Sequence, residues 1–239
     1  MLYDFLKWWI GRPIIKLVLH PNFIGLDTLP TTGAAIIAGN HVGAGDTFPL
    51  VILVRRRIYM PAKKEFFEAK NFGGRAAVFF LRISYQVPID TKGGVSARES
   101  MRLLVNKLKN GEMVGIFPEG TRSPDGRLYR FHTGVAYLAL ATGAPVYPLA
   151  CSNTRLKRGF LGLPTMKDSR LEFGPPMHFD EYVGQESDPK VLRKVTDEIA
   201  AEIRKMTGQT YVDIYGSRVK QGDLTPEQAD EFIRDHPGD

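Results

Sequence analysis

The chain has 239 residues, 43% of them hydrophobic, which suffices for a large core, and one compact domain is expected at this length. A formal charge of +6 and a pI near 9.4 favour anionic partners, leaving nucleic acid, anionic lipid and phosphorylated metabolites to be told apart. Cys151 is the single cysteine, so an intramolecular disulfide is excluded, which fits a reducing compartment; the residue reads as a small buried hydrophobe beside an apolar strand.

Residues 1–20, MLYDFLKWWIGRPIIKLVLH, hold both tryptophans among Asp4, Lys7, Arg12 and Lys16. Charges recur and Pro13 interrupts the run, so nothing approaches the ~20 apolar residues that cross a bilayer. Asp4 stands where a secretory signal is basic and no small-residue cleavage site follows, so the segment is expected to stay on the mature protein. Aromatics beside lysine and arginine suit the membrane interface, with Trp rings at head-group level and basic side chains reaching anionic lipid. The competing reading is an ordinary helix packed on the domain. Residues 1–25 are accordingly taken as an amphipathic membrane-association segment, 26–215 as the main domain, and 216–239, where the sequence turns polar, as a loosely attached tail.

The apolar run Ala34–Ala38 predicts a buried strand and Thr47–Val54 a helix, with Asn40-His41-Val42-Gly43-Ala44-Gly45-Asp46 between them. On a continuous α-helix His41 and Asp46 would point about 140° apart, so the segment must bend for them to meet; Gly43 and Gly45 ease a bend. Asp46 falls at the expected N-cap, with Pro49 in the first turn. Its carboxylate can also hold one imidazole nitrogen of His41, leaving the other to take a proton from an attacking hydroxyl.

Beyond Arg55-Arg56-Arg57, read as a solvated helix end, Ile58–Ala62 is a strand candidate followed by Lys63-Lys64-Glu65. Residues Phe66 to Leu81 carry five phenylalanines, some for the core and some able to line an acyl channel or touch lipid. Tyr85–Ile89 is the next strand. A helix from Val95 places Met101, Leu104, Val105 and Leu108 on one face and stops at Asn110-Gly111. Met113–Phe117 is a strand ending in a second polar cluster, Phe117-Pro118-Glu119-Gly120-Thr121-Arg122-Ser123, at the position where open α/β sheets place ligands. A guanidinium there can hold phosphate bidentately, supplemented by the Thr and Ser hydroxyls; equally, the polar residues of a tight turn can satisfy one another. Phe131–Thr142 is a further helix, Pro145–Ala150 and Arg170–Phe173 further strands, Thr154–Asp168 an exposed connection, and a last helix starts at Asp188-Pro189 with Val191, Val195, Ile199 and Ile203 on one face. Alternating short strands and helices give a single α/β domain with a mostly parallel sheet flanked by helices. There is no internal repeat, metal-ligand cluster, P-loop or G-x-S-x-G elbow in the sequence, and no basic stretch interleaved with aromatics beyond the first twenty residues, so nucleic-acid binding is not expected.

The pair of blocks, Asn40-His41…Asp46 and Phe117-Pro118-Glu119-Gly120-Thr121-Arg122-Ser123, resembles that of the bacterial PlsC-type 1-acyl-glycerol-3-phosphate acyltransferases, glycerolipid acyltransferases with NHx4D and FPEGTRS motifs in this order. The strand–helix order agrees over roughly residues 30–180, and Ala62–Glu65, Gly134-Val135-Ala136 and Val146-Tyr147-Pro148-Leu149 resemble lesser blocks. One departure stands out: Ile89-Asp90-Thr91 occupies the place of the family's Ile-Asp-Arg, with Lys92 or Lys63 as substitutes for a phosphate-holding arginine. The resemblance implies His41 and Asp46 as catalytic residues and Glu119, Gly120, Thr121, Arg122 and Lys63 as substrate-binding residues, with no metal and no cofactor. It implies acyl-CoA or acyl carrier protein as donor, a lysophospholipid acceptor, phosphatidic acid as product, and a monotopic or peripheral place on the cytoplasmic face of the membrane. Glycerol-3-phosphate or another lipid as acceptor, and a catalytically inactive membrane-surface binding protein, are the alternatives.

Overall fold

A computed structural model of the chain describes residues 2–68, 78, 86–89, 95–159, 162 and 164–239. Among these residues a seven-stranded sheet runs in the order β1-β10-β7-β2-β5-β3-β4, with β1 Asn22–Ile24, β2 Ala35–Gly39, β3 Ile58–Lys63, β4 Gln86–Ile89, β5 Met113–Ile116, β7 Val146–Ser152 and β10 Arg170–Phe173. All neighbours are parallel except β10, which is antiparallel to β7. The expected α/β sheet is thus present, with its antiparallel step at one side. Between β7 and β10, the short strands β8 (Lys157–Arg158) and β9 (Pro164–Thr165) pair only with each other. Most of the Phe-rich segment, and Asp90, Thr91 and Lys92, lie outside the described residues.

β2 shows why the sheet is covered on both faces. Side chains alternate along a strand, and both sets are apolar here. Ile36 and Ala38 face a cluster with Leu104, Leu108, Val135, Leu138, Val195, Ile199 and Ile203, from helices α4 (Val95–Lys109), α5 (Gly134–Thr142) and α6 (Pro189–Thr207). Ala35 and Ile37 face Leu50, Val51 and Val54 at the end of α3 (Ala44–Leu53). Such two-sided burial is the mark of a parallel strand between helix layers. Asp188 caps α6 by accepting from the backbone N–H of Lys190 and Val191, and Gly208 ends it with a left-handed φ of 68°.

Three local expectations are corrected. Helix α3 begins at Ala44 rather than Thr47, so Asp46 sits in the third helical position and Gly43 at the cap; Pro49 then lies inside the helix, where it cannot bond back to Gly45. Helix α5 begins at Gly134 instead of Phe131; ahead of it the His132 N–H donates to the Pro118 carbonyl at 2.8 Å, tying this stretch to the motif loop. The segment from 216 onward is folded. Tyr211–Val212 (β11) pairs with Leu128–Tyr129 (β6) and with Ile233–Arg234 (β12), and Val219 and Ala229 are buried against Tyr129 and Val212. A short helix, α7 (Gly216–Gln221), lies in this segment.

The N-terminal run is helical as α1 (Leu2–Phe5), a π-helical stretch (Leu6–Gly11) and α2 (Arg12–Leu19). Its polarity is inverted from the expected one. Lys7 is 2% exposed and donates to the Arg56 carbonyl at 3.1 Å, while Arg12 donates to the Leu53 carbonyl at 2.9 Å and lies over the Trp8 ring. Arg12 thus serves the last carbonyl of α3, and Lys7 a carbonyl of the bend just beyond it. Burial, then the Arg12 charge, lowers the Lys7 ammonium to about 8. The outward face is largely apolar: Trp9 is 73% and Leu17 74% exposed, with Phe5, Trp8, Ile10 and Ile14 also exposed and Lys16 exposed among them. Among the described residues, no helix is long and apolar enough to cross a membrane.

Candidate active site

Strands β2, β5 and β7 are parallel neighbours, with Ala38 opposite Ile116 and Gly39 opposite Leu149, so the loops after them leave the same edge of the sheet. That edge is where a ligand meets an open parallel sheet. The loop after β2 brings His41, the loop after β5 brings Phe117–Ser123, and the loop after β7 brings Thr154 and Arg155.

The bend needed between His41 and Asp46 is present. Asp46 is fully buried, and its Oδ2 accepts from three groups: His41 Nδ1 at 2.8 Å, the Val42 N–H at 2.7 Å and the Gly43 N–H at 2.8 Å. A carboxylate only accepts, so His41 Nδ1 carries the proton and Nε2 is the nitrogen with the lone pair. The imidazole, 17% exposed, stacks on the Phe117 ring with centroids 4.2 Å apart and planes 10° from parallel. Asp46 Oδ1 is buried and, among the described residues, has no hydrogen-bond partner. Cys151 lies nearby on β7, and burial together with the Asp46 charge pushes its thiol up.

The two glycines serve a purpose other than the bend. Gly43 has a φ of −162°, extended backbone open to any residue, but a Cβ there would come within 2.7 Å of the Thr154 carbonyl oxygen. Gly45 donates its N–H to that same carbonyl at 3.1 Å, and a Cβ on it would strike Met166 and Thr154. The loop after β7 is pressed onto the start of α3, and glycine is what lets the backbones touch.

The second block grips the first through the backbone of His41. The His41 N–H donates to Glu119 Oε1 at 2.7 Å, and the His41 carbonyl accepts from the Ser123 N–H at 2.7 Å. Glu119 is 2% exposed, and its Oε2 accepts from the Tyr129 N–H at 3.3 Å. Burial, with Asp46 and Asp125 adding to it against the two N–H donors, pushes the Glu119 carboxyl up to about 8. Gly120 turns the chain with a φ of 71°, and a Cβ there would sit 3.0 Å from the His132 ring, so its place in the block is conformational. The Ser123 hydroxyl donates to the Arg127 carbonyl at 2.8 Å and accepts from the Gly126 N–H at 2.9 Å, closing a turn. Thr121 Oγ accepts from Lys220 Nζ at 2.8 Å. Arg122 is exposed, and no described residue engages its guanidinium.

The structure therefore brings His41, Asp46, Glu119, Gly120, Thr121 and Arg122 together. Lys63 closes β3 with its backbone, and its side chain lies outside the described residues. Two contributors are not among the expected site residues. Asn40, fully buried, clasps Cys151 from both sides, donating to its carbonyl at 2.9 Å and accepting its N–H at 2.7 Å, and also donates to Gln209 at 2.8 Å. Its position directly before His41 is the one signal that could have marked it. Lys220 has none, because its neighbour Thr121 is 99 positions away.

The chain is similar to known acyltransferases. A 1-acyl-sn-glycerol-3-phosphate acyltransferase of Bacillus subtilis (strain 168) is 29% identical over 182 residues, which cover 75% of this chain and 84% of that protein. One of Cocos nucifera is 31% identical over 61% of this chain, and one of Limnanthes alba 28% over 67%, but these matches span only about half of each plant protein, 46% and 56%. The crystal structure of the 1-acyl-sn-glycerophosphate acyltransferase PlsC from Thermotoga maritima shares the fold, with a TM-score of 0.60 over 86% of this chain and 79% of that one at 22% identity. The profile of the family described as Acyltransferase matches residues 20–152, a span holding both motif loops and more than half of the chain, and the chain belongs to that family.

Proposed function

We propose that the protein transfers a fatty acyl group from a thioester, acyl-CoA or acyl carrier protein, to the free hydroxyl of 1-acyl-glycerol-3-phosphate, making phosphatidic acid. The observation that carries the chemistry is the 2.8 Å His41–Asp46 contact beside an exposed Arg122. The names of the relatives supply the acceptor. In this reading His41 Nε2 takes the proton of the acceptor hydroxyl as its oxygen attacks the thioester carbonyl. The tetrahedral intermediate collapses with cleavage of the C–S bond, and the proton passes to the leaving thiolate. Arg122 and Thr121 hold the acceptor phosphate. Glu119 acts through His41 and Tyr129, since both of its oxygens accept backbone N–H groups.

Thiol release from palmitoyl-CoA by the purified protein in detergent tests this directly. Release is expected only when 1-acyl-glycerol-3-phosphate is present. Release without acceptor would make the protein a thioesterase, and release with glycerol-3-phosphate alone would move the acceptor to the smaller substrate.

The same reading places the protein peripherally or monotopically on the cytoplasmic face of the membrane, where acyl thioesters are at hand. Support comes from the exposed apolar side chains of Phe5, Trp9, Ile10, Ile14 and Leu17 on the N-terminal helix, with Lys16 the exposed cation beside them. With Lys7 and Arg12 turned inward, binding should rest on apolar insertion more than on charge. In vesicle flotation, Trp9→Glu with Leu17→Glu is expected to release the protein from phosphatidylcholine vesicles, whereas raising salt alone releases little. Salt-driven release of the unaltered protein would show charge to be the main attraction.

A further inference from the structure

We propose that Gln209 is a positioning residue that locks the two motif loops to each other, so that His41 meets the acceptor hydroxyl in line; the inference rests on the acyl transfer proposed above. Gln209 belongs to neither loop and bonds to both. Its Oε1 accepts from Asn40 Nδ2 at 2.8 Å, and its Nε2 donates to the Gly126 carbonyl at 2.5 Å. The direction of this relay is fixed at its two ends. Asn40 Oδ1 accepts the Cys151 N–H, so the Asn40 amide presents its Nδ2 to Gln209 as a donor, and the Gly126 carbonyl can only accept. A side-chain amide answers both demands at once. The contacts then close into a ring: the His41 carbonyl accepts from the Ser123 N–H at 2.7 Å, the Ser123 hydroxyl accepts from the Gly126 N–H at 2.9 Å, and from Gly126 the path returns through Gln209 to Asn40, the residue before His41. Thr121 and Arg122 lie within two residues of Ser123, so the ring holds their loop against the general base.

This tether is separable from the fold. Gly208 ends α6, the Gln209 N–H donates to Thr207 Oγ at 3.3 Å, and the Thr210 carbonyl accepts from the Leu128 N–H at 3.0 Å, so the backbone around Gln209 is held whatever its side chain. Asn40 likewise keeps both of its bonds to Cys151 when Gln209 is changed. What goes is the link between the loops, leaving the Glu119 and Ser123 contacts to the His41 backbone to hold them alone. Thr121 and Arg122 still grip the phosphate, but the hydroxyl arrives out of line with His41 Nε2. A misalignment of that kind is felt in kcat, because it concerns the transition state and leaves ground-state binding as it was.

The test compares Gln209→Met, Gln209→Ala and Gln209→Glu with the unaltered full chain, by steady-state kinetics with palmitoyl-CoA and 1-acyl-glycerol-3-phosphate and by amide hydrogen exchange. Methionine keeps the length of glutamine without its bonds, and glutamate keeps an acceptor for Asn40 but sets a second acceptor against the Gly126 carbonyl. Each variant is expected to lower kcat roughly tenfold with both KM values unchanged, and to speed exchange across residues 119–127 but not in α6. A normal kcat in Gln209→Met beside a loss in Gln209→Ala would reduce the residue to filling space and overturn the proposal. So would a normal kcat in Gln209→Glu, unchanged exchange across 119–127, or a raised acceptor KM with kcat intact. If the unaltered protein shows no acceptor-dependent thiol release, the proposed reaction falls, and the exchange measurement alone then upholds the tether or overturns it.

Discussion

Replacing His41 with alanine is expected to lower the rate of acyl transfer by about 10²–10⁴-fold, the usual contribution of a positioned general base, while the protein stays folded. The second half of that expectation follows from how His41 is held. Its two contacts to the second block, from its N–H to Glu119 and from Ser123 to its carbonyl, are backbone contacts and survive truncation of the side chain. What alanine loses is the bond to Asp46 and the stack on Phe117, the latter worth about 0.5–1.5 kcal/mol. Asp46→Ala is a poorer probe, since that carboxylate also accepts the Val42 and Gly43 N–H groups and its removal disturbs the start of α3. A far-UV spectrum and melting curve like those of the unaltered protein, together with thiol release at the background rate, is the expected pair of results. Near-normal turnover in a folded His41→Ala protein would remove the general base from the mechanism.

Much of this site is legible in the sequence alone. An apolar run followed by a His with an Asp five residues on requires a bend at a strand end if the two side chains are to meet, and that inference depends only on helix geometry. The helix faces are equally legible, because Leu104 and Leu108, or Val195, Ile199 and Ile203, repeat at the spacing that buries them. What stays hidden depends on contacts far apart in sequence. Glu119 looks like a substrate ligand in an exposed polar loop, and only the approach of the His41 and Tyr129 backbones turns it into a buried acceptor. The 216–239 segment reads as polar because its few apolar residues, Val219 and Ala229 among them, are enough to cover Tyr129 and Val212 and no more. Lys7 and Arg12 read as lipid-facing because periodicity gives a helix two faces without saying which one meets the protein, and the Leu53 and Arg56 carbonyls, at and just beyond the end of α3, draw both cations inward.

Truncating Glu119 to alanine is expected to be the most damaging change to stability at the site. It strips the acceptor from two backbone N–H groups, those of His41 and Tyr129, in a place that water does not reach; each buried orphan costs about 1–3 kcal/mol, a large share of a typical folding free energy. It also frees the His41 backbone, so activity should fall with stability. Glu119→Gln separates the two roles of the carboxyl, because its amide oxygen can keep the 2.7 Å bond from His41 while the side chain no longer titrates. The sign of the pH effect follows from the raised value. Between an ordinary carboxyl near 4.5 in the unfolded chain and about 8 in the folded one, the folded protein holds a proton that the unfolded chain has released. This contribution to stability is therefore fully present below the unfolded value and is lost as pH rises through about 8, with a slope of at most about 1.4 kcal/mol per pH unit. Urea unfolding from pH 5 to 9 should show the unaltered protein losing stability relative to Glu119→Gln across that window, other groups contributing equally to both. Parallel curves would mean that Glu119 is ionised in its buried place, and that the two N–H donors outweigh the loss of water around it.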